Sequence, residues 1–345
     1  MLLSVKRRLH AAVLRAWFND DSWIRLLAPL SFIFTCFAQW RKTFLLRKKR
    51  WEPPVPVVVV GNISVGGVGK TPVVASLAKG MQVRGYKPGI VSRGFGAAGM
   101  RYPTLVTAIS NPKDVGDEPV MLAQQLDIPV VVDPNRVNAA NFLWKYHKCN
   151  LIIADDGLQH YNLKRHVELL VIDGQRMLGN GLCLPAGPLR EPASRLHSVD
   201  LVLSNGEVAF DPGVSYHSFE LLPQAIMAVR PDLRALSAVY PQACRVHGVA
   251  GIGNPERFFN TLVELGFEVV AHAFPDHYCY KAEDILFEEE LPVIMTEKDA
   301  VKCTELATPN HWYLPVATNI SDLVLDHIAS LIENSDVVYN GKKTV

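Results

Sequence analysis

The sequence predicts an α/β protein built on a doubly wound, mostly parallel sheet, and three observations carry that prediction. From Val57 onward, short β-branched runs alternate with longer amphipathic stretches. Such alternation lays strands side by side with helices crossing over them. The runs are apolar throughout, as strands covered on both faces require. The first of them, "VPVVVV" (Val55–Val60), leads straight into a glycine-rich turn that opens a helix.

The chain begins differently. Residues 1–50 carry eleven Lys/Arg against Asp20 and Asp21, a net +9, although the whole chain is only +1. The rest holds 24 basic and 32 acidic residues, a basic head on an acidic body. That asymmetry favours an anionic surface. The head's tryptophans and its Phe/Leu run suit lipid better than nucleic acid. Leu2, Val5, Leu9, Ala12, Val13 and Trp17 fall on one side of a helix, with Arg7, Arg8 and Arg15 on the other. The apolar run Leu26–Ala38 is short for a membrane span. Pro29 is expected to interrupt it, and "RKTFLLRKKR" follows. These features predict a segment lying in the membrane interface beside a polybasic flank on anionic lipid. Helices packed on the body, or a single span, are the other readings. The six cysteines are scattered with no CxxC spacing, which argues against a zinc site or disulfide framework and fits a reducing compartment.

The prolines of "WEPPVPVVVV" end the head, and Val57–Val60 is the first buried strand. A helix is expected from Lys70 to about Arg84, a strand and its loop over Pro88–Gly94, a helix over Asp117–Leu126 and a strand over Ile128–Asp133. Then come a helix (Asn135–His147), strands Leu151–Asp156 and Val167–Asp173, a long Gly/Pro-rich loop (Gly174–Pro192) and a strand (Asp200–Asn205). Loops of that length are usually functional. Shorter strands beyond 215 suggest a second, smaller α/β lobe, closed by a helix over Ser321–Asn334. The expected division is therefore 1–50, 51–215, 216–334 and an unstructured tail, 335–345.

The chemistry starts at "SVGGVGKT", which follows the phosphate-loop pattern G-x-x-x-x-G-K-[ST] with Ser64 in place of the first glycine. Ser64, Val65, Gly66, Gly67, Val68 and Gly69 would turn backbone N–H groups inward around phosphates at a helix N-terminus. Lys70 would reach the β/γ-phosphates and Thr71 would ligate Mg²⁺. The ligand is a nucleoside triphosphate. "TEKD" (Thr296–Asp299) has the wrong spacing for a guanine-reading motif, which favours ATP. Asp155 and Asp156 end a strand in "LIIADDGLQH", where enzymes with this loop place a Mg²⁺-supporting aspartate. Gln159 and His160 follow them. Asp117 and Glu118 open a helix, either as first-turn acids or with Asp117 as a general base. Asp276 and His277 in "FPDHY" offer an imidazole to tune such a base. Arg93, and Arg190 with Glu191 beside it, offer phosphate contacts or ordinary surface ion pairs.

Taken in order, "GNISVGGVGKTP", "SRGFG", "GDEPVMLA", "DDGLQH", "LPAGPLREP", "FPDHY" and "MTEKDAVK" closely resemble the tetraacyldisaccharide 4′-kinase (lipid A 4′-kinase) family of Gram-negative bacteria. The family's "GN-x-SVGG" form accounts for Ser64. The resemblance implies transfer of the γ-phosphate of ATP, with Mg²⁺, to the 4′-hydroxyl of a tetraacylated glucosamine disaccharide 1-phosphate, giving lipid IVA at the inner membrane. It implies a second lobe that closes over the nucleotide, and no nucleic-acid or obligate protein partner. Residue by residue, it implies Asp117 as the catalytic aspartate with His277 its partner, Lys70 and Thr71 on phosphate and Mg²⁺, and Asp155 and Asp156 as the acidic pair. Arg93, Glu118, Gln159, His160, Arg190 and Glu191 are further candidates. A membrane-associated switch or partitioning ATPase would need the same phosphate loop but no base for a sugar hydroxyl.

Overall fold

The computed structural model describes residues 12–19, 21–48, 51–94, 101–233 and 244–335. The amphipathic pattern before Ala12 and the tail beyond Ser335 lie outside them. Among these residues the main sheet has eight strands: β1 (Val57–Gly61), β2 (Pro88–Ser92), β3 (Thr104–Val106), β4 (Val130–Val132), β5 (Leu151–Asp155), β6 (Val167–Asp173), β7 (Leu201–Asn205) and β8 (His217–Phe219). Their order is β3-β4-β2-β5-β1-β6-β7-β8. Only β3 runs antiparallel to its neighbour. β1 is buried along its whole length, which its β-branched valines suit.

The head comprises helix α1 (residues 12–19), a 3-10 turn (Ser22–Leu27) and α2 (Ala28–Arg47). Around the main sheet lie α3 (Lys70–Val83), α4 (Pro112–Val115), α5 (Asp117–Gln125) and α6 (Arg136–His147). α3 and α5 bury Val73, Leu77, Met81 and Leu122 against one face. α6 buries Ala139 and Leu143 against the other, beside Leu158 and Leu189 from the loops.

After β8 the chain crosses through β9 (Leu222–Pro223) into a second lobe. That lobe contains β10 (Met227–Ala228), β11 (Arg245–Ala250), α7 (Pro255–Glu264), β12 (Glu268–Ala273), α8 (Ala282–Ile285), β13 (Val293–Thr296), α9 (Glu297–Cys303) and β14 (His311–Leu314). Its sheet order is β10-β14-β13-β11-β12. The chain returns through β15 (Val316–Ala317), which pairs antiparallel with β9, and ends in α10 (Asp322–Glu333).

Three expectations change. The main sheet extends past residue 215, because β8 pairs in parallel with β7. The helix expected to close the second lobe instead packs on the main body, where Val324, Leu325, Ile328 and Ile332 join the core of α3 and α5. Pro29 opens α2 instead of interrupting it, since its missing N–H is no loss in a first turn. As a result Ser22–Arg47 is one segment of 26 residues, long and apolar enough by length and composition to cross a membrane.

Candidate active site

The parallel pairing of β1 with β5 sets the site. Val60 lies opposite Asp155, so the turn leaving β1 and the acids ending β5 share one sheet edge. Open α/β sheets bind ligands at this carboxyl edge. Gly69 caps α3 with φ 92°, a conformation costly for any residue with a Cβ. The turn is held from outside. Val65 N–H donates to Pro188 O at 2.8 Å and Arg190 N–H to Ile63 O at 2.6 Å, which stitches the long Gly/Pro-rich loop to the phosphate loop. Asn62, fully buried, donates to Ser64 O at 2.7 Å and accepts from Lys70 Nζ at 3.2 Å.

Lys70 also faces Asp156 at 3.4 Å, and Arg190 reaches Asp156 at 3.3 Å. Burial raises the Asp156 pKa, but these two cations outweigh it and hold the carboxyl at about 2. Asp155 goes the other way. Burial, then the charges of Glu118 and Asp156, push it well above the usual carboxylate range against Lys70 and Arg136. Neither Asp155 oxygen has a hydrogen-bond partner, although the residue is 1 % exposed. An unpartnered buried carboxylate is costly unless something pairs with it, and a cation fits that need. Among the described residues no group of three His, Cys, Asp or Glu side chains could hold an ion by itself. A lone buried carboxylate is enough for Mg²⁺, which commonly takes one or two carboxylates with water and substrate phosphates. Thr71 lies buried at the start of α3, where its hydroxyl would be a further ligand.

Across the cleft, Asp117 begins α5. The N-cap is Gly116, so Asp117 is not needed as the cap. Its Oδ1 accepts from Glu118 N–H at 2.9 Å, and its Oδ2 faces His277 Nδ1 at 3.1 Å. Two residues 160 apart in sequence thus meet between the lobes. Burial raises the Asp117 pKa, but the His277 hydrogen bond and the charges of Lys298, His277 and Lys302 bring it to about 2. The Asp117 hydrogen bond in turn raises His277.

The remaining candidates divide. Glu118 pairs with Lys298 at 2.9 Å, and its charge reaches Asp155. Arg93 is exposed, and its charge acts on His160. Burial and then the nearby Arg136 and Arg93 charges lower His160 to about 4, leaving a neutral imidazole. Gln159 and Glu191 face inward. Gln159 Nε2 donates to Asn62 O at 3.1 Å and Glu191 Oε1 at 2.8 Å, while Glu191 also accepts from Tyr161 and faces Arg195. They brace the loop from behind.

Sequence reasoning missed Asn62, Arg136 and the second lobe's hold on the loop. Arg136 is 3 % exposed and donates to Asp133 O at 3.0 Å. Its signal was "VVVDPNR", a charged turn closing a buried strand. Gly253 rests on the phosphate loop so closely that a Cβ there would lie 2.3 Å from Gly67 N. Arg176 fixes that contact through Gly253 O at 3.1 Å and Asn254 Oδ1 at 2.7 Å. Gly253→Ala is expected to lower kcat/KM by about tenfold or more, since displacements of an ångström at reacting groups are felt strongly; steady-state kinetics over ATP concentration checks it. "TEKD" turns its aspartate inward. Asp299 is fully buried and accepts from Gly251 N–H at 2.8 Å and Thr296 Oγ1 at 2.6 Å.

Fold and site together define a P-loop phosphotransferase, with phosphate-binding groups on one body and a carboxylate–imidazole pair completed by the other. The family model described as tetraacyldisaccharide-1-P 4′-kinase matches residues 23–333, and the chain belongs to that family. It is 46% identical over 321 residues to the tetraacyldisaccharide 4′-kinase of Alcanivorax borkumensis, covering 92% of this chain and 95% of that one. Over 268 residues it is 52% identical to the same-named protein of Alkalilimnicola ehrlichii, covering 78% and 80%. The crystal structure of the "apo" form of LpxK from Aquifex aeolicus in complex with ATP has the same fold, with a TM-score of 0.71 and 24% identity over 90% of this chain and 99% of that one.

Proposed function

We propose that the chain transfers the γ-phosphate of ATP to the 4′-hydroxyl of a tetraacylated glucosamine disaccharide 1-phosphate. The observation that carries this reading, beyond family membership, is the contact of Asp117 with His277 across the cleft from Lys70 and Asp156. A switch or partitioning ATPase has no use for a base on the acceptor side. ATP is the nucleotide bound in the Aquifex aeolicus relative.

Phosphoryl transfer needs positioning and charge neutralisation more than covalent chemistry from the protein. Backbone N–H groups of Ser64–Gly69 hold the phosphates, Lys70 neutralises the β/γ oxygens, and Arg190 offers a second cation. Asp155 and Thr71 would hold Mg²⁺, which when bound neutralises charge on the transferring group. Asp117 takes the proton of the attacking hydroxyl, and His277 shares it through Nδ1. The test is transfer of radiolabelled γ-phosphate in detergent with tetraacyl disaccharide 1-phosphate. Label in the lipid supports the reading; label only in inorganic phosphate, indifferent to lipid, overturns it.

The acceptor's acyl chains keep it in a bilayer, at about 0.8 kcal/mol for each buried CH₂. The head reaches it there. One side of α2 rests on the body through Ser31 Oγ, which donates to Cys183 O at 2.7 Å, and through Phe34 packed on the core beneath. Arg41 meets Gln159 O at 3.5 Å further along. The opposite side exposes Phe32, Ile33, Phe37, Trp40 and Phe44. We read a helix that rests along the protein in this way as lying in the interface at the cytoplasmic face. Phe37→Asp with Trp40→Asp is expected to reduce binding to anionic vesicles by about 10²–10⁴-fold, at about 1.5–3 kcal/mol per large apolar side chain. Vesicle sedimentation measures it.

A further inference from the structure

The base pair joins two bodies, so its geometry depends on how the lobes are held. Asp117 stands on α5 and His277 in the loop after β12, where it adopts φ 57°. One side chain from a third element ties both neighbourhoods. Lys298 Nζ lies 2.9 Å from Glu118 Oε1 and 3.0 Å from Asp276 Oδ1. Glu118 follows Asp117 in sequence, and Asp276 precedes His277. Lys298 is 13 % exposed, and its acids keep it protonated by raising its pKa against burial.

Lys298 belongs to α9, which is itself anchored at three points. Thr296 caps it through Asp299 N–H. Asp299 holds Gly251 N–H, two residues before the Gly253 that rests on the phosphate loop. Glu297 accepts from Gln125 Nε2 of α5 at 2.7 Å. The same short helix therefore fixes the loop over the phosphates and the contact between base and imidazole.

We propose that Lys298 is a positioning residue for phosphoryl transfer, whose ammonium group holds Asp117 and His277 in register with the phosphate loop through Glu118 and Asp276. This rests on the reading of Asp117 and His277 as the base pair. It gives "TEKD" a task that base recognition does not.

The charges around the pair make the role separable from general stability. Asp117 faces His277, Lys298 and Lys302; His277 faces Asp117, Asp276 and Lys298. The Lys298 charge lowers the proton affinity of both members. Removing it raises both.

The test uses the full-length protein in the lipid-acceptor assay, with Lys298→Met and Lys298→Arg beside wild type and Asp117→Ala. Lys298→Met is expected to lower kcat by about 10²-fold, the scale of a misplaced reacting group, with KM for ATP little changed. The pH at which kcat rises should move upward. Lys298→Arg should recover most of kcat and return the limb to its wild-type position. Should Lys298→Met fail to fold, Lys298→Gln keeps a hydrogen-bonding end between the two acids, removes the charge and carries the same readout. Unchanged kcat overturns the inference, and so does a fall in kcat with the limb unmoved. If Asp117→Ala is fully active, the base pair itself is misassigned. If Asp117→Ala is inactive while the limb stays put in Lys298→Met, only the inference about Lys298 fails.

Discussion

Asp117→Ala is expected to lower kcat by about 10²–10⁴-fold, the usual range for a positioned general base, while ATP still binds. The carboxylate is buried, and both oxygens are aimed, one at the Glu118 amide and the other at His277. Removing it takes away the proton acceptor and leaves His277 without its partner. Asp117→Asn keeps the shape and loses the base, so the two variants should fall together. The pH profile gives an independent check. A carboxyl held near pH 2 is a weak base alone. With an imidazolium beside it, the pair has no room for the hydroxyl proton. The competent form is the one with neutral His277, so kcat should rise with pH through the His277 pKa, which lies above the ordinary histidine value. In His277→Ala this rising limb should vanish. A limb that persists there belongs to another group.

Lys70→Ala is the second large expected effect, a loss of about 10²–10³-fold or more, as for removal of a preorganised donor at developing charge. Lys70 does more than reach phosphate. It joins Asn62 on the loop to Asp156 on the strand end, at 3.2 Å and 3.4 Å. Without it Asp156 keeps only Arg190, and its pKa should rise from about 2. Repulsion between Asp156 and the incoming triphosphate should then add a rise in KM for ATP to the fall in kcat. Lys70→Arg is expected to rescue little, because a planar guanidinium does not replace a compact ammonium at this spacing. Initial rates over a matrix of ATP concentrations would separate the two components, and full activity in Lys70→Ala would remove the phosphate-loop assignment.

The strands were legible in the sequence because β-branched runs buried on both faces leave little else to choose. Val167–Asp173 was placed to the residue and β1 and β5 to within one, while Pro88–Gly94 held β2 together with the loop after it. The phosphate loop was legible because its glycines, lysine and threonine are contiguous. What failed to show is nonlocal. β8 is only three residues long, and its place beside β7 comes from pairing. α10 has an apolar side that reads the same whichever body it covers. The Asp117–His277 contact followed only from family resemblance, since nothing local in "GDEP" or "FPDH" marks one for the other. Arg136, Arg176 and Lys298 are ordinary charged residues in sequence, given their roles by burial and by partners from elsewhere.

The docking of α10 on the main body bears on how the protein is made. The core under β1 and α3 needs Val324, Leu325, Ile328 and Ile332, which are made only after the whole second lobe. The second lobe lies between Met227 and Leu314, one continuous stretch that can fold as soon as it emerges. The main body must wait. At about 5–20 residues per second, translating the stretch from Met227 to Leu314 alone leaves the apolar side of α3 uncovered for roughly 4–18 s. Ribosome-bound chains ending before α10 should therefore recruit chaperones that recognise that surface, and release should coincide with the arrival of α10.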